Sequence, residues 1–144
     1  MIGTIITGHG MFASGMLSSL KLIVGEMENI FAVDFSPENS PEDLEKELKQ
    51  VLKKLSLCDS IVIFTDIMGG TPFKTSVTLT VELKNCYIIY GTNLPLLLEF
   101  SMLEKENNDM ISLINQCIST GKEQMRLFQF KKFDFTEENY EDGI

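Results

Sequence analysis

The chain has 144 residues, 44% of them hydrophobic and 23% charged, with a net charge of −9. That length carries one domain with a sizeable core, and Glu, Lys or Asp interrupts every apolar run before it reaches bilayer length. Nucleic acid is not expected as a partner: a phosphate backbone calls for clustered Lys and Arg, and the chain offers one arginine, Arg126, and no basic run longer than short pairs such as Lys131–Lys132.

The acidic surface suits solubility and, where it docks anything, a basic protein reached by electrostatic steering. No basic region precedes the first apolar run and no small-residue cleavage site follows it, so a cytoplasmic protein without a secretory signal is expected. Cys58, Cys86 and Cys117 are odd in number and far apart, which reads as reduced thiols and not as a disulfide frame. With a single histidine and scattered cysteines, neither a metal nor another cofactor is expected.

In chain order, the β-branched run Ile2–Ile6 predicts a first strand, ending at Thr7-Gly8. Apolar positions at Met16, Leu17, Leu20 and Ile23–Val24 have helical spacing and predict a helix over Ala13–Val24. Ile30–Phe35 reads as a second strand. Ser40-Pro41 is a helix start, with Ser40 as N-cap and Asp43 at the third position. The helix to Lys54 is amphipathic, with Leu44, Leu48, Val51, Leu52 and Leu55 on one face.

Ser60–Thr65 is continuously β-rich, as befits a central parallel strand covered on both faces. Asp66 and Ile67-Met68-Gly69-Gly70-Thr71-Pro72 follow, with Thr71 expected as N-cap of a helix running to about Leu83. Cys86–Tyr90 is a fourth strand, Gly91–Pro95 a loop, and helices are expected near Leu96–Leu103 and Met110–Lys122. Arg126–Phe130 is expected to add one short strand, before an acidic tail frayed from Thr136 onward. No internal repeat is present. Four β–α units in series predict an α/β, doubly wound domain over residues 1–130 with a mainly parallel sheet, residues 131–144 forming the tail.

Ligands of such folds collect where strand carboxyl ends face the topological switch point. With strand order 2-1-3-4, strands 1 and 3 are neighbours, and His9 and Asp66 meet in one crevice. A carboxylate on one ring nitrogen fixes the tautomer and leaves the other lone pair free to attack. Gly69-Gly70-Thr71-Pro72 would add free amides and a hydroxyl at a helix start, where an anion is favoured, and a second helix begins just after His9. Each feature alone has a plain structural reading: a polar turn histidine, a strand-end aspartate, a capped turn. Together they point to a phosphoryl group held on histidine. No Gly-x-Ser-x-Gly elbow, P-loop or Gly-x-Gly-x-x-Gly competes with that chemistry.

Thr7-Gly8-His9-Gly10, Asp66-x-x-Gly69-Gly70-Thr71-Pro72-Phe73 and Asn93-Leu94-Pro95-x-Leu97-Leu98-Glu99 resemble, as an ordered set, the IIA component of the mannose-type sugar phosphotransferase system. The likeness runs from Met1 to about Phe130. It implies a phosphocarrier whose His9 takes a phosphoryl group from phosphorylated HPr and passes it to a separate IIB protein, which serves a membrane permease built of IIC and IID. It further implies Asp66 as the partner of His9, with Thr71 and the amides of Gly10 and Gly70 on the phosphoryl oxygens. Met11 and Met68 stand where some relatives carry tryptophan and are expected as partner contacts, adaptable packing being the plainer alternative. Lys74 replaces an asparagine common in relatives. A homodimer that exchanges Arg126–Phe130 is implied as well. The same fold would also suit a regulatory module in which phosphorylation is a signal, or a phosphoryl donor subunit for a dihydroxyacetone kinase.

Overall fold

Strands and helices alternate as the apolar pattern predicts, in a computed structural model that describes residues 1–105 and 109–131. The elements are β1 (Ile2–His9), α1 (Phe12–Val24), β2 (Ile30–Phe35), α2 (Pro41–Lys54), β3 (Ser60–Thr65), α3 (Thr71–Thr80), β4 (Cys86–Ile89), α4 (Leu94–Met102) and α5 (Met110–Glu123). The sheet is parallel throughout, in the order β2-β1-β3-β4.

Both faces of the sheet are covered, which is why apolar residues of its strands point to both sides. Ile5, Val33 and Ile63 pack against Leu44, Leu48 and Val51 of α2. Ile6, Val62, Phe64 and Ile89 pack on the other face with Leu20 of α1, Leu96, Leu97 and Phe100 of α4, and Ile114 and Cys117 of α5. Each such side chain contributes about 1.5–3 kcal/mol on burial, so the two layers supply the rigidity on which the strand ends rest. Ser40 caps α2 as expected: its hydroxyl accepts from the Asp43 N–H at 3.1 Å while the Asp43 carboxylate accepts from the Ser40 N–H at 2.9 Å.

Several boundaries differ from expectation: α3 ends at Thr80, short of the expected Leu83, and three others bear on the site. β1 continues to His9, because Gly8 and His9 still pair with Asp34 and Phe35 of β2. The N-cap of α3 is Gly70, not Thr71, and no side chain caps it; Thr71 is the first helical residue and Pro72 the second. α4 begins two residues early, at Leu94, because the Asn93 side chain accepts from the Leu96 N–H at 3.1 Å and so caps the helix.

Arg126–Phe130 takes no strand conformation within the protomer, and Leu127, Phe128 and Phe130 are exposed. So short a strand needs a paired edge to be stable. Residues 132–144, nearly all of the expected acidic tail, lie outside the described residues. Among the described residues, no helix is long and apolar enough to cross a membrane.

Candidate functional site

The register Thr7↔Thr65 sets the carboxyl ends of β1 and β3 level, so His9 and Asp66 emerge side by side. Asp66 Oδ2 lies 2.7 Å from His9 Nδ1 and accepts from the His9 backbone N–H at 2.8 Å. Its Oδ1 accepts from the Ile67 N–H at 2.8 Å. Burial, the largest influence, pushes this carboxyl up, but the hydrogen bonds from His9 and Ile67 and the nearby imidazole outweigh it, leaving Asp66 below its ordinary 3.8. Asp66 is therefore a carboxylate near neutral pH. An acceptor-only oxygen at 2.7 Å requires a proton on Nδ1, so the neutral ring carries its lone pair on Nε2.

Nε2 faces the start of α3. A Cβ placed on Gly70 would stand 2.6 Å from His9 Cε1 and 3.4 Å from Nε2, so only glycine lets the ring lie this close to the loop. On the other side, the Phe35 ring meets the imidazole edge-on at a centroid distance of 5.9 Å. The ring is thus held by a carboxylate, an aromatic edge and a bare stretch of backbone, while the His9 side chain stays 45% exposed. An attacking nitrogen needs both that fixity and that access.

The two helix starts beside His9 are not equivalent. At α1, Asp34 from the end of β2 accepts from the Ser14 N–H at 2.9 Å and from the Ser14 hydroxyl at 2.6 Å, so this terminus already holds a carboxylate. At α3, Gly70 brings no capping side chain, and the first N–H groups of a helix have no intrahelical acceptors. The anion position the geometry offers is at α3, next to Nε2.

The structure corrects the expectation for Gly10: its N–H donates to the Phe35 carbonyl at 2.8 Å and is not available to an added anion. What Gly10 supplies is the left-handed turn, at φ +59°, that carries the chain from β1 into α1. Thr71 sits on the first turn of α3, half-buried, with no hydrogen-bond partner for its hydroxyl among the described residues. Met11 and Met68, in the two loops flanking His9, are 76% and 66% exposed, and Ile67 beside them is exposed too. The loop after β4 braces the site: the Gly91 N–H donates to the Asp66 carbonyl at 2.8 Å and the Thr92 N–H to the Thr65 carbonyl at 3.2 Å.

Asp34 and Phe35 were missed by reading the sequence. The usable signal was their place at a strand carboxyl end, level with His9. Among the described residues, no group of three or more His, Cys, Asp or Glu is placed to hold a metal ion.

This geometry coincides with a family. The family model described as "PTS system fructose IIA component" (EIIA-man) matches residues 3–118. The chain belongs to this family. It is 30% identical over 127 residues to the fructose-specific EIIA component of Bacillus subtilis, covering 88% of this chain and 86% of that protein. To the mannose-specific EIIAB component of Escherichia coli it is 28% identical over 130 residues, covering 90% of this chain but 40% of that longer protein. The crystal structure of a phosphotransferase system EIIA component from Streptococcus agalactiae superposes with a TM-score of 0.78 at 31% identity, covering 88% of this chain and 96% of that one. The fold and the family are therefore those of an EIIA component of the mannose/fructose/sorbose type, a class that acts in phosphoryl transfer for sugar transport.

Proposed function

We propose that this EIIA component is a phosphocarrier that accepts a phosphoryl group from phosphorylated HPr on His9 Nε2 and hands it to a IIB partner for sugar uptake through a IIC/IID permease. The observation that carries the reading is the His9–Asp66 pair, whose free Nε2 faces the uncapped start of α3.

The step balances without an added reactant. The Nε2 lone pair attacks the phosphorus of the HPr phosphohistidine and forms a new N–P bond. The donor N–P bond breaks, and its electron pair returns to the leaving imidazole. The His9 ring keeps its Nδ1 proton and gains positive charge, which the Asp66 carboxylate faces at 2.7 Å. The amides of Gly70 and Thr71 and the Thr71 hydroxyl hold the phosphoryl oxygens. Transfer to IIB is the same step in reverse. Met11 and Met68 suit a surface that must meet two partners in turn, since thioether side chains repack easily.

The carrier works as a homodimer in this reading. β4 is a sheet edge four residues long, and beside it Tyr87, Ile89, Leu96, Ile111, Ile114 and Ile118 line an apolar groove of about 770 Å³. Leu127, Phe128 and Phe130, exposed just beyond α5, have the character of a strand that would cover such an edge in a second copy.

Intact-mass measurement after incubation with phosphorylated HPr tests the carrier reading. One added phosphoryl group is expected, stable to base, labile to acid, absent in His9→Ala, and lost again on adding a cognate IIB protein. Labelling of the His9→Ala protein, or a phosphoryl group that IIB cannot remove, overturns it.

A further inference from the structure

We propose that Lys74 is the countercharge of this site, its ammonium pairing with the oxygens of the phosphoryl group on His9; the assignment rests on the carrier reading above. The Lys74 N–H donates to the Gly70 carbonyl at 2.9 Å, which sets Lys74 one helical turn above Gly70. Gly70 itself is the extended cap residue, and its Cβ direction is the one that meets the His9 ring at Cε1 and Nε2. Helical side chains also lean toward the amino end. A lysine stem that leans this way from the first turn of α3 would carry its ammonium back over the loop bordering the ring, where a phosphoryl group would sit.

The charge balance calls for such a group. A phosphoryl group brings about −1.5 to −2 charges near neutral pH, into a crevice where Asp66 contacts the ring and Asp34 closes the neighbouring helix start. In the connections that leave the carboxyl edge of the sheet and the first turns of the helices they lead into, Lys74 is the sole Lys or Arg. It is exposed, and the ion pairs among the described residues engage Lys21, Lys49, His9 and the amino terminus but not Lys74. A cation in a first helical turn opposes the helix dipole. An anion bound at the same terminus makes that placement favourable.

The test compares wild type, Lys74→Gln and Lys74→Arg as full chains, each loaded with phosphorylated HPr and checked by intact mass. Phosphorus NMR then follows the titration of the phosphoryl group at low ionic strength. In Lys74→Gln its second pKa is expected to rise by about 0.2–0.7, the range an exposed ion pair gives. The ratio of phosphorylated to free protein at equilibrium with HPr should fall about 1.4- to 5-fold. Lys74→Arg should match the wild type, and the difference should shrink in about 1 M salt, where the Debye length is near 3 Å. A Lys74→Gln protein that titrates like the wild type at low salt overturns the assignment. A wild type that carries no phosphoryl group on His9 overturns the carrier reading itself, and Lys74 with it.

Discussion

Gly70→Ala separates the chemistry of the crevice from its stability. The new Cβ would stand 2.6 Å from His9 Cε1, where carbon atoms ordinarily approach to about 3.5–4.0 Å. The backbone suits alanine, since Gly70 has φ −71°, and the half-exposed ring can move where a core residue could not. The imidazole therefore yields by about 1 Å, enough to break a 2.7 Å bond to Asp66, and a misplacement of that size costs roughly 10²-fold in rate. Stability should hardly change. Alanine is the poorer N-cap by about 1 kcal/mol or less, and the stiffer unfolded chain returns about 0.4–1 kcal/mol. Gly69→Ala is the counter-experiment: its Cβ meets nothing within 4 Å, but φ is +80°, so it should lose about 1–2 kcal/mol of stability while transfer is largely spared. Transfer rates from phosphorylated HPr, with melting curves for both variants, read the two effects apart. A Gly70→Ala protein that transfers at the wild-type rate would show that the ring need not lie against that loop.

Asp66→Asn should fold yet transfer slowly, because an amide can offer either donor or acceptor and no longer dictates the tautomer. The analogous change in a serine-protease triad costs about 10⁴ in rate, and a smaller loss is expected here because no proton moves in the step; single-turnover kinetics measure it. The same substitution should alter acid stability. A carboxyl held below 3.8 in the folded state adds stability that is fully present above that pH and lost as pH falls through the lower folded value, so denaturation midpoints of wild type and Asp66→Asn should converge below about pH 4. The association rate with a basic-faced HPr should fall as salt rises to physiological strength, where the Debye length is about 8 Å; a rate indifferent to salt would leave the charge of −9 with solubility alone. Truncation after Gln124 should yield monomers or aggregates by light scattering, whereas truncation after Phe135 should leave a dimer; a full-length monomer at micromolar concentration would refute the exchange.

The strands, the helices and the apolar faces that form the core were legible because they depend on local pattern, whereas the order 2-1-3-4 followed from the doubly wound class that their alternation implied. Ser60–Thr65 is apolar on both faces, and a strand of that kind has to lie inside a parallel sheet. Ser40-Pro41 marked a helix start through groups within three residues of each other. Legibility ends where the backbone's own conformation, or a partner outside the segment, decides. Thr71 has the composition of an N-cap, yet the first turn of α3 closes with the Lys74 N–H on the Gly70 carbonyl and places the cap one residue earlier. Arg126–Phe130 has strand composition but forms none in the protomer, since an isolated strand cannot supply its own pairing.

The same limit explains the candidate site. His9 and Asp66 could be paired on paper because neighbouring parallel strands bring their carboxyl ends together whatever the details of register. Which helix start remains open to an anion depends on those details. The register Gly8↔Asp34 sets a carboxylate beside α1, and His9↔Phe35 brings the carbonyl that takes the Gly10 N–H. Two helix starts that look alike in sequence therefore differ in the structure: one is filled by the protein's own carboxylate, the other has no capping side chain and faces Nε2. Had a one-residue slip put Phe35 opposite Gly8, the side chain beside α1 would be aromatic, and both termini would compete for one charge. In the proposed phosphocarrier, the pairing of β2 with β1 thus contributes to the direction of the chemistry, although β2 carries none of the atoms proposed to react.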